Sequence, residues 1–392
     1  FDKEDFPDRV KWAEDRHEVL LAIADDPIAN VHHWKDADKP YQFLAAVFEY
    51  AECHALIELG YSAGDYVSRL PIGLDGSCNG LQNFSAMLRD EIGGRATNLV
   101  PSDKPADIYS EVAKVATGKV AALSLEKAVL NKLEELKGHC TEADEWLKYA
   151  QEHGVGFLPR SLAKRPVMTL PYGATRQSCT QYIFQDIIKN RWTKKFSCGP
   201  WSAAVWLCPL LWEAIGEVVV AARAAMSWLQ KLANGMSKIN KPIVWKTKDG
   251  FIAIQNSREI ETVKINTQLA GRFQVKVGSF TDRLDANKQR TGISPNFVHS
   301  QDATHMRSTI RMAQDQGIHN IACIHDDYGT YACDTGRFHK IIREAFVDMY
   351  RDFDPLDQLY QIALAYGANV PTVPAKGNLD IELVLDSKHF FG

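Results

Sequence analysis

The chain has 392 residues, 45 Lys and Arg against 49 Asp and Glu, a formal charge of −4 and 45% hydrophobic composition. That length accommodates two or three domains around packed cores. The balance excludes a histone-like protein, so any polyanion must be held by local basic patches inside a mildly acidic shell.

In chain order, Asp5 to Asp26 and Tyr41 to Leu59 carry helical apolar spacing. Arg69 to Leu74 reads as an extended run ending at Asp75, and Leu81 to Ile92 as a helix. Ala106 to Ala116, Leu125 to Leu136 and Ala143 to His153 are three further amphipathic segments. The stretch Arg160 to Tyr172 reads as a basic helix, followed by helical patterns over Thr180 to Arg191 and Ser202 to Leu232. This last stretch is the most apolar, yet it contains Glu213, Glu217 and Arg223, so it is expected to be a buried core helix and not a membrane span. From Pro242 to Val277 the pattern shifts to short β-branched runs. Pro295 to Gln316 is helical, Asn320 to Ile324 and Tyr328 to Cys333 form a hairpin turning at His325-Asp326-Asp327, and Arg337 to Arg351 and Pro355 to Tyr366 close the chain as helices.

Eight cysteines show no C-x-x-C pair and no paired His spacing, which argues against zinc and for free thiols in a reducing cytosol. No signal peptide is recognisable. The chain opens on Phe1 without an initiator Met and is read as a fragment of a longer protein.

Two islands carry the chemistry: Leu74-Asp75-Gly76-Ser77-Cys78-Asn79-Gly80 and Ile324-His325-Asp326-Asp327-Tyr328-Gly329. Each puts a carboxylate where an apolar extended run meets a tight turn. One such Asp is usually a turn residue or helix cap. Two of them, brought together by folding, supply the hard oxygens that a pair of Mg²⁺ ions requires, about 3.5–4 Å apart. Small residues beside Asp75 leave room for close backbone approach. Asp327 is a third candidate, with a solvent-facing turn carboxylate as the plainer reading. Between the islands, Arg160, Lys164, Met168 and Tyr172 recur every four residues, a slowly drifting stripe on an α-helix. A triphosphate along it would meet guanidinium and ammonium first and an aromatic ring last; a surface helix with scattered charge is the alternative. Pro166 and Pro171 each remove a helical hydrogen bond, so the segment is expected either to kink or to become regular only near Pro166.

These residues resemble a known family. Asp75-Gly-Ser-Cys-Asn-Gly with Phe84-Ser-Ala-Met-Leu-Arg-Asp-Glu, the Arg160-x3-Lys164-x7-Tyr172-Gly173 spacing, Asn296-Phe-Val-His-Ser-Gln-Asp302 and Ile324-His-Asp326 are similar to motifs of the single-subunit DNA-directed RNA polymerases of bacteriophages, with mitochondrial polymerases as more distant relatives. The likeness extends to Pro374-Ala-Lys-Gly-Asn-Leu379.

It implies an α+β (α/β) right-hand nucleotidyltransferase fold. An antiparallel-sheet palm would be split in sequence by a mostly helical fingers insertion: palm over 1–91, fingers over 92–299, palm and tail over 300–392. The fingers would include a nucleotide-binding helix at 160–173 and a promoter-specificity hairpin at 255–280. Asp75 and Asp326 would be the catalytic, metal-binding carboxylates, with the Gly76 carbonyl as a further ligand. Lys164 would be the catalytic lysine, Arg160 a triphosphate contact, Tyr172 the sensor of the ribose 2′-hydroxyl and Tyr109 a pocket residue. Gly173 and His299 would lie against nucleic acid, His299 in the minor groove of the hybrid. Lys264, Asn266, Gln268 and Arg272 would face the promoter, or be exposed faces of a β-ribbon. The family's N-terminal promoter-binding domain, thumb and first palm segment would lie outside this sequence.

The implied cofactor is Mg²⁺, two ions. The implied partners are a double-stranded DNA promoter and template, an RNA transcript and ribonucleoside triphosphates. The protein would act as a monomer, without a membrane, in the cytoplasm of an infected bacterium, a mitochondrial matrix being the alternative. The rival readings are a related DNA polymerase and a palm–fingers piece that binds nucleic acid without turnover. Related DNA polymerases usually carry a Glu shortly after the first Asp and an aromatic residue where Met168 stands. Ser77, Cys78 and Asn79 occupy the first region here, and both differences favour ribonucleotides.

Overall fold

The computed structural model describes residues 6–134, 141–154, 156–268 and 273–392. Arg272, one of the expected promoter-facing residues, lies outside them. The helices and strands are, in order, α1 (Phe6–Glu14), α2 (His17–Asp25), α3 (Pro40–Glu58), β1 (Ile72–Asp75), α4 (Asn79–Leu88), α5 (Glu91–Ala96), α6 (Ile108–Glu134), α7 (Thr141–His153), α8 (Arg160–Thr169), α9 (Arg176–Lys189), α10 (Pro200–Val218), α11 (Val220–Lys238), β2 (Ile243–Lys246), β3 (Ile252–Gln255), β4 (Arg258–Thr267), β5 (Phe273–Leu284), α12 (Ala286–Asp315), β6 (Ile321–Ile324), β7 (Asp327–Thr330), α13 (Thr335–Arg351) and α14 (Pro355–Ala365). This is a mixed α+β architecture with small sheets: β1-β7-β6, β2-β3 and β4-β5.

Two compact units emerge. The smaller takes the chain up to 73 with 320–322 and 329–338; the larger takes 74–319, 323–328 and 339–392. The smaller unit is built on α1 to α3, where Leu20, Ile23 and Val47 are buried among Trp34, Phe43, Leu44 and Tyr50.

Several helix ends in the larger unit are written into the sequence. Thr175 and Ser178 form a capping box at α9, Asp285 accepts from the Lys288 amide at α12, and Asp354 caps α14 ahead of Pro355. Each satisfies amides that a helix start leaves unpaired. Helix α10 packs on α6 and α9, and α11 packs on α12 and α4, with Val112, Ile183, Leu207 and Leu229 buried. An aromatic cluster of Trp146, Tyr149, Trp192 and Phe196 packs between α7 and the end of α9.

Local chemistry moves several expected boundaries. The stretch 202–232 is not one helix: α10 and α11 meet at Val219 with a 99° bend. Among the described residues no single helix is long and apolar enough to cross a membrane. The expected break between Ala116 and Leu125 is absent, because α6 is continuous from Ile108 to Glu134. By contrast, 81–92 is cut at Arg89, whose φ of 53° lies in the left-handed region. Asp90 then starts α5 by accepting from the Ile92 amide. Helix α12 begins nine residues before the expected Pro295 and carries that proline in its interior.

Candidate active site

Strand β1 ends on Asp75, and β6 and β7 are separated only by His325 and Asp326. Since β1 lies beside β7, the two carboxylate islands are neighbours. The Gly76 amide donates to the Asp326 carbonyl at 3.3 Å. A Cβ on Gly76 would stand 3.3 Å from Asp326 Oδ2 and 3.2 Å from the Phe391 ring. A side chain here would be crowded from both sides, which favours glycine. His325 holds a φ of 57°, a rare conformation for a residue with a Cβ, and so turns Asp326 toward Asp75.

The electrostatics follow from that convergence. Burial first, then the charges of Asp326 and Asp327, push the Asp75 carboxyl up to about 6, against the Gly76 amide and the Lys164 ammonium. Burial also raises Asp326, with Asp327 adding to it, against its own backbone amide and His325. Burial and like charges together outweigh Lys164 and His325 and disfavour ionisation, and a divalent cation would remove that penalty. Among the described residues no three His, Cys, Asp or Glu side chains are grouped as a closed metal cage. Two carboxylates and a backbone carbonyl fit Mg²⁺ of the kind that completes its octahedron with water and substrate phosphates. Asp327 is exposed and begins β7.

Helix α8 brings Arg160 and Lys164 to the same region. It starts at Arg160, holds Pro166 inside and ends at Thr169. The expected helix over 160–173 is therefore shorter. Pro171 has no amide to continue it, and Gly173, at φ 87°, donates to the Leu170 carbonyl at 3.0 Å to close a turn. Tyr172 sits on this turn, beyond the stripe of Arg160, Lys164 and Met168. The Arg160 guanidinium lies 4.8 Å from the centroid of Tyr109 and pairs with Asp107 at 2.6 Å. Tyr109 is buried and hydrogen-bonded to the Cys78 thiol, and burial raises it far above an ordinary phenol. Cys78 is itself pushed up to about 12 by burial.

The Tyr172 turn is wedged between α4 and α12. A Cβ on Gly80 would come within 2.9 Å of Pro171 Cβ and 3.0 Å of the Tyr172 hydroxyl; Gly173 faces the Thr291 carbonyl and Pro295. His299 stacks on the Tyr172 ring, 4.6 Å between centroids and 18° between planes, while 58% of its side chain stays exposed. The Tyr172 hydroxyl donates to Asp302 Oδ2 at 3.2 Å, and Asn83 Nδ2 donates to Asp302 Oδ1 at 2.6 Å. Burial and then the Asp326 charge push Asp302 up to about 8, with the Tyr172 donor working the other way.

Asn83 and the segment 389–392 were not expected at the site. Asn79, Gln82 and Asn83 share one face of α4, a helix whose ten residues are all buried. Amides at that spacing within an otherwise apolar helix are the sequence signal for a buried polar network. The tail backs the first island: Gly392 donates to the Asp75 carbonyl at 3.1 Å, Gln82 to the Phe390 carbonyl at 2.9 Å, and Phe391 bridges to Gly76.

The β4–β5 hairpin pairs Lys264 with Lys276 and Asn266 with Gln274 on one face. Gln274 donates to Asn266 at 3.1 Å. The opposite face carries Val263 with Val277 and Ile265 with Val275, and both faces are exposed. Gln268 lies just past β4 and is also exposed.

Known proteins align with this whole arrangement. A family described as DNA-dependent RNA polymerase matches residues 1–366. T7 RNA polymerase of Escherichia phage T7 is 36% identical over 100% of this chain and 47% of its own length. The DNA-directed RNA polymerase of Enterobacteria phage T3 has the same identity and coverage. The mitochondrial DNA-directed RNA polymerase 1B of Nicotiana tabacum is 32% identical over 100% of the chain and 37% of its own length. The chain thus spans less than half the length of these relatives. With both carboxylate islands and the α8 basic residues inside the matched span, the chain belongs to the DNA-dependent RNA polymerase family.

Proposed function

We propose that this chain forms the nucleotidyl-transfer centre of a DNA-directed RNA polymerase, extending RNA on a DNA template from ribonucleoside triphosphates. The observation that carries this is the convergence of Asp75 and Asp326, with Lys164 acting on Asp75 from α8. The architecture is a right hand. The palm takes 1–91 and 300–392, and the fingers take 92–299.

Asp75, Asp326 and the Gly76 carbonyl would hold two divalent cations. Such ions lower the pKa of the attacking 3′-hydroxyl and neutralise charge on the transferring phosphoryl group. Lys164 presents a compact ammonium to the triphosphate and can supply a proton to the leaving pyrophosphate. Arg160 contacts the same phosphates once it exchanges Asp107 for them, and Tyr109 supports its guanidinium. Tyr172, stacked on His299, reads the sugar, and Gly173 lets the backbone pass close to the nucleic acid. The face of the β4–β5 hairpin bearing Lys264 and Asn266 meets the promoter. The fitting setting is phage gene transcription in the cytoplasm of an infected bacterium, with the protein acting as a monomer.

Primer extension tests this on the polymerase at its full encoded length. Asp75→Asn and Asp326→Asn are each expected to lower extension by at least about a thousandfold, since each removes a charge aimed at the transition state. Wild-type extension by either variant would refute the metal roles. Preferred incorporation of deoxynucleotides by the unmodified protein would favour the DNA polymerase reading.

A further inference from the structure

The Tyr172 hydroxyl belongs to a directed chain of hydrogen bonds that starts far behind it. The Tyr350 hydroxyl, on α13, donates to Asn83 Oδ1. Asn83 Nδ2, on α4, donates to Asp302 Oδ1 at 2.6 Å and also to the side chain and carbonyl of Asn79 at 2.9 Å. Asp302, on α12, receives the Tyr172 hydroxyl on its other oxygen at 3.2 Å. Asn83 is completely buried and Tyr350 nearly so.

The polarity leaves little freedom. The oxygen of Asn83 is occupied by a hydroxyl donor, so its amide hydrogens must face outward toward Asn79 and Asp302. Both oxygens of Asp302 therefore face donors, and once Asp302 is ionised, above about pH 8, the Tyr172 proton is directed onto the carboxylate. Its ring cannot swing away, because His299 covers one face and Gly80 leaves no space for even a methyl group beside the hydroxyl. What Tyr172 offers a ligand is a fixed oxygen with free lone pairs, an acceptor that requires a donor opposite.

Resting on the reading of Tyr172 as the sugar contact, we propose that Asp302, held by Asn83, is the positioning residue that makes Tyr172 select ribose. It fixes the phenolic oxygen as an acceptor for the nucleotide's 2′-hydroxyl. A ribonucleotide supplies that donor and a 2′-deoxynucleotide does not. A site built to bond a substrate hydroxyl rejects the analogue that lacks it far more strongly than a merely shaped pocket does. Asp302 is buried behind Tyr172, so its effect is expected in the choice of sugar and not mainly in the rate with the right one.

The test compares kcat/KM for ATP and dATP opposite one templating thymine at pH 8.5, where Asp302 is ionised, using the polymerase at its full encoded length. Wild type, Asp302→Asn, Tyr172→Phe and the double variant are measured together. The ATP:dATP ratio is expected to fall at least about tenfold in each single variant. In the double variant it should fall no further than in Tyr172→Phe alone, because the proposed route runs through the hydroxyl that Phe lacks and not through His299, whose Nδ1 lies 3.8 Å from Asp302 Oδ2. An unchanged ratio in Asp302→Asn beside a lowered one in Tyr172→Phe would overturn this inference alone, as would additive losses in the double variant. An unchanged ratio in Tyr172→Phe would instead remove the sugar reading of Tyr172, and this inference with it. Should Asp302→Asn fold poorly, Asn83→Ser interrupts the same chain one link back. A lowered ratio there supports the inference and a wild-type ratio overturns it.

Discussion

Asp75 and His305 show two opposite uses of burial at the level of single residues. Asp75 is a carboxyl that burial and neighbouring carboxylates make reluctant to ionise. His305 is fully buried among Tyr328, Phe346, Phe390 and Phe391, and burial lowers it to about 4 although its ring bonds the Ile342 carbonyl. It folds neutral. In the unfolded chain it takes up a proton near the ordinary pKa of about 6.5. Stability linked to His305 is therefore whole above about pH 6.5, drains away as pH falls toward 4, and changes no further below that. The loss amounts to roughly 3 kcal/mol. Urea unfolding from pH 7.5 to pH 4 should show this slope in wild type. In His305→Gln it should flatten between pH 6.5 and 4 by that amount; an identical slope in both proteins would remove His305 as its source.

At the level of elements, the sequence made helices legible wherever periodicity and caps agreed, and less so where proline and backbone conformation intervened. The basic stripe from Arg160 to Met168 was readable from spacing alone. The end of α8 was not, because it depends on Pro171, on Gly173 at φ 87° and on the packing of their turn against Gly80 and Pro295. Likewise Ser202 to Leu232 is apolar enough to pass for one helix, and only tertiary packing shows the bend at Val219. The β4–β5 ribbon was legible as a β-branched region, while its two faces emerge only from the register of Lys264 with Lys276 and Asn266 with Gln274. That register carries a prediction. Asn266→Ala should alter which promoter is used, at about 1–3 kcal/mol for a lost base contact, and leave extension of a preformed primer–template unchanged. Equal loss in both assays would contradict a reading role for that face.

Across the whole molecule, the two islands could be read from sequence as carboxylates at strand ends, since strand-to-turn transitions are local. Their convergence is a long-range event, made by β1 lying beside β7 and by the tail at Phe391 and Gly392 closing behind Asp75. Nothing local in the tail announces that role. Asn83 was missed for a related reason: its partners Asp302 and Tyr350 are 219 and 267 residues away. Family resemblance supplied what local patterns could not, by linking islands that spacing alone leaves unconnected.

The central claim is that Asp75 and Asp326 share one divalent-cation site. The most direct measurement counts Mn²⁺ ions by electron paramagnetic resonance, with the full-length polymerase bound to primer–template and a non-hydrolysable ribonucleoside triphosphate. Two ions per complex are expected in wild type at pH 7.5, with weaker binding as pH falls through about 6, where Asp75 takes up its proton. Asp75→Asn and Asp326→Asn should each weaken both ions together. Unchanged Mn²⁺ occupancy in either variant, with nucleotide still bound, would contradict the account.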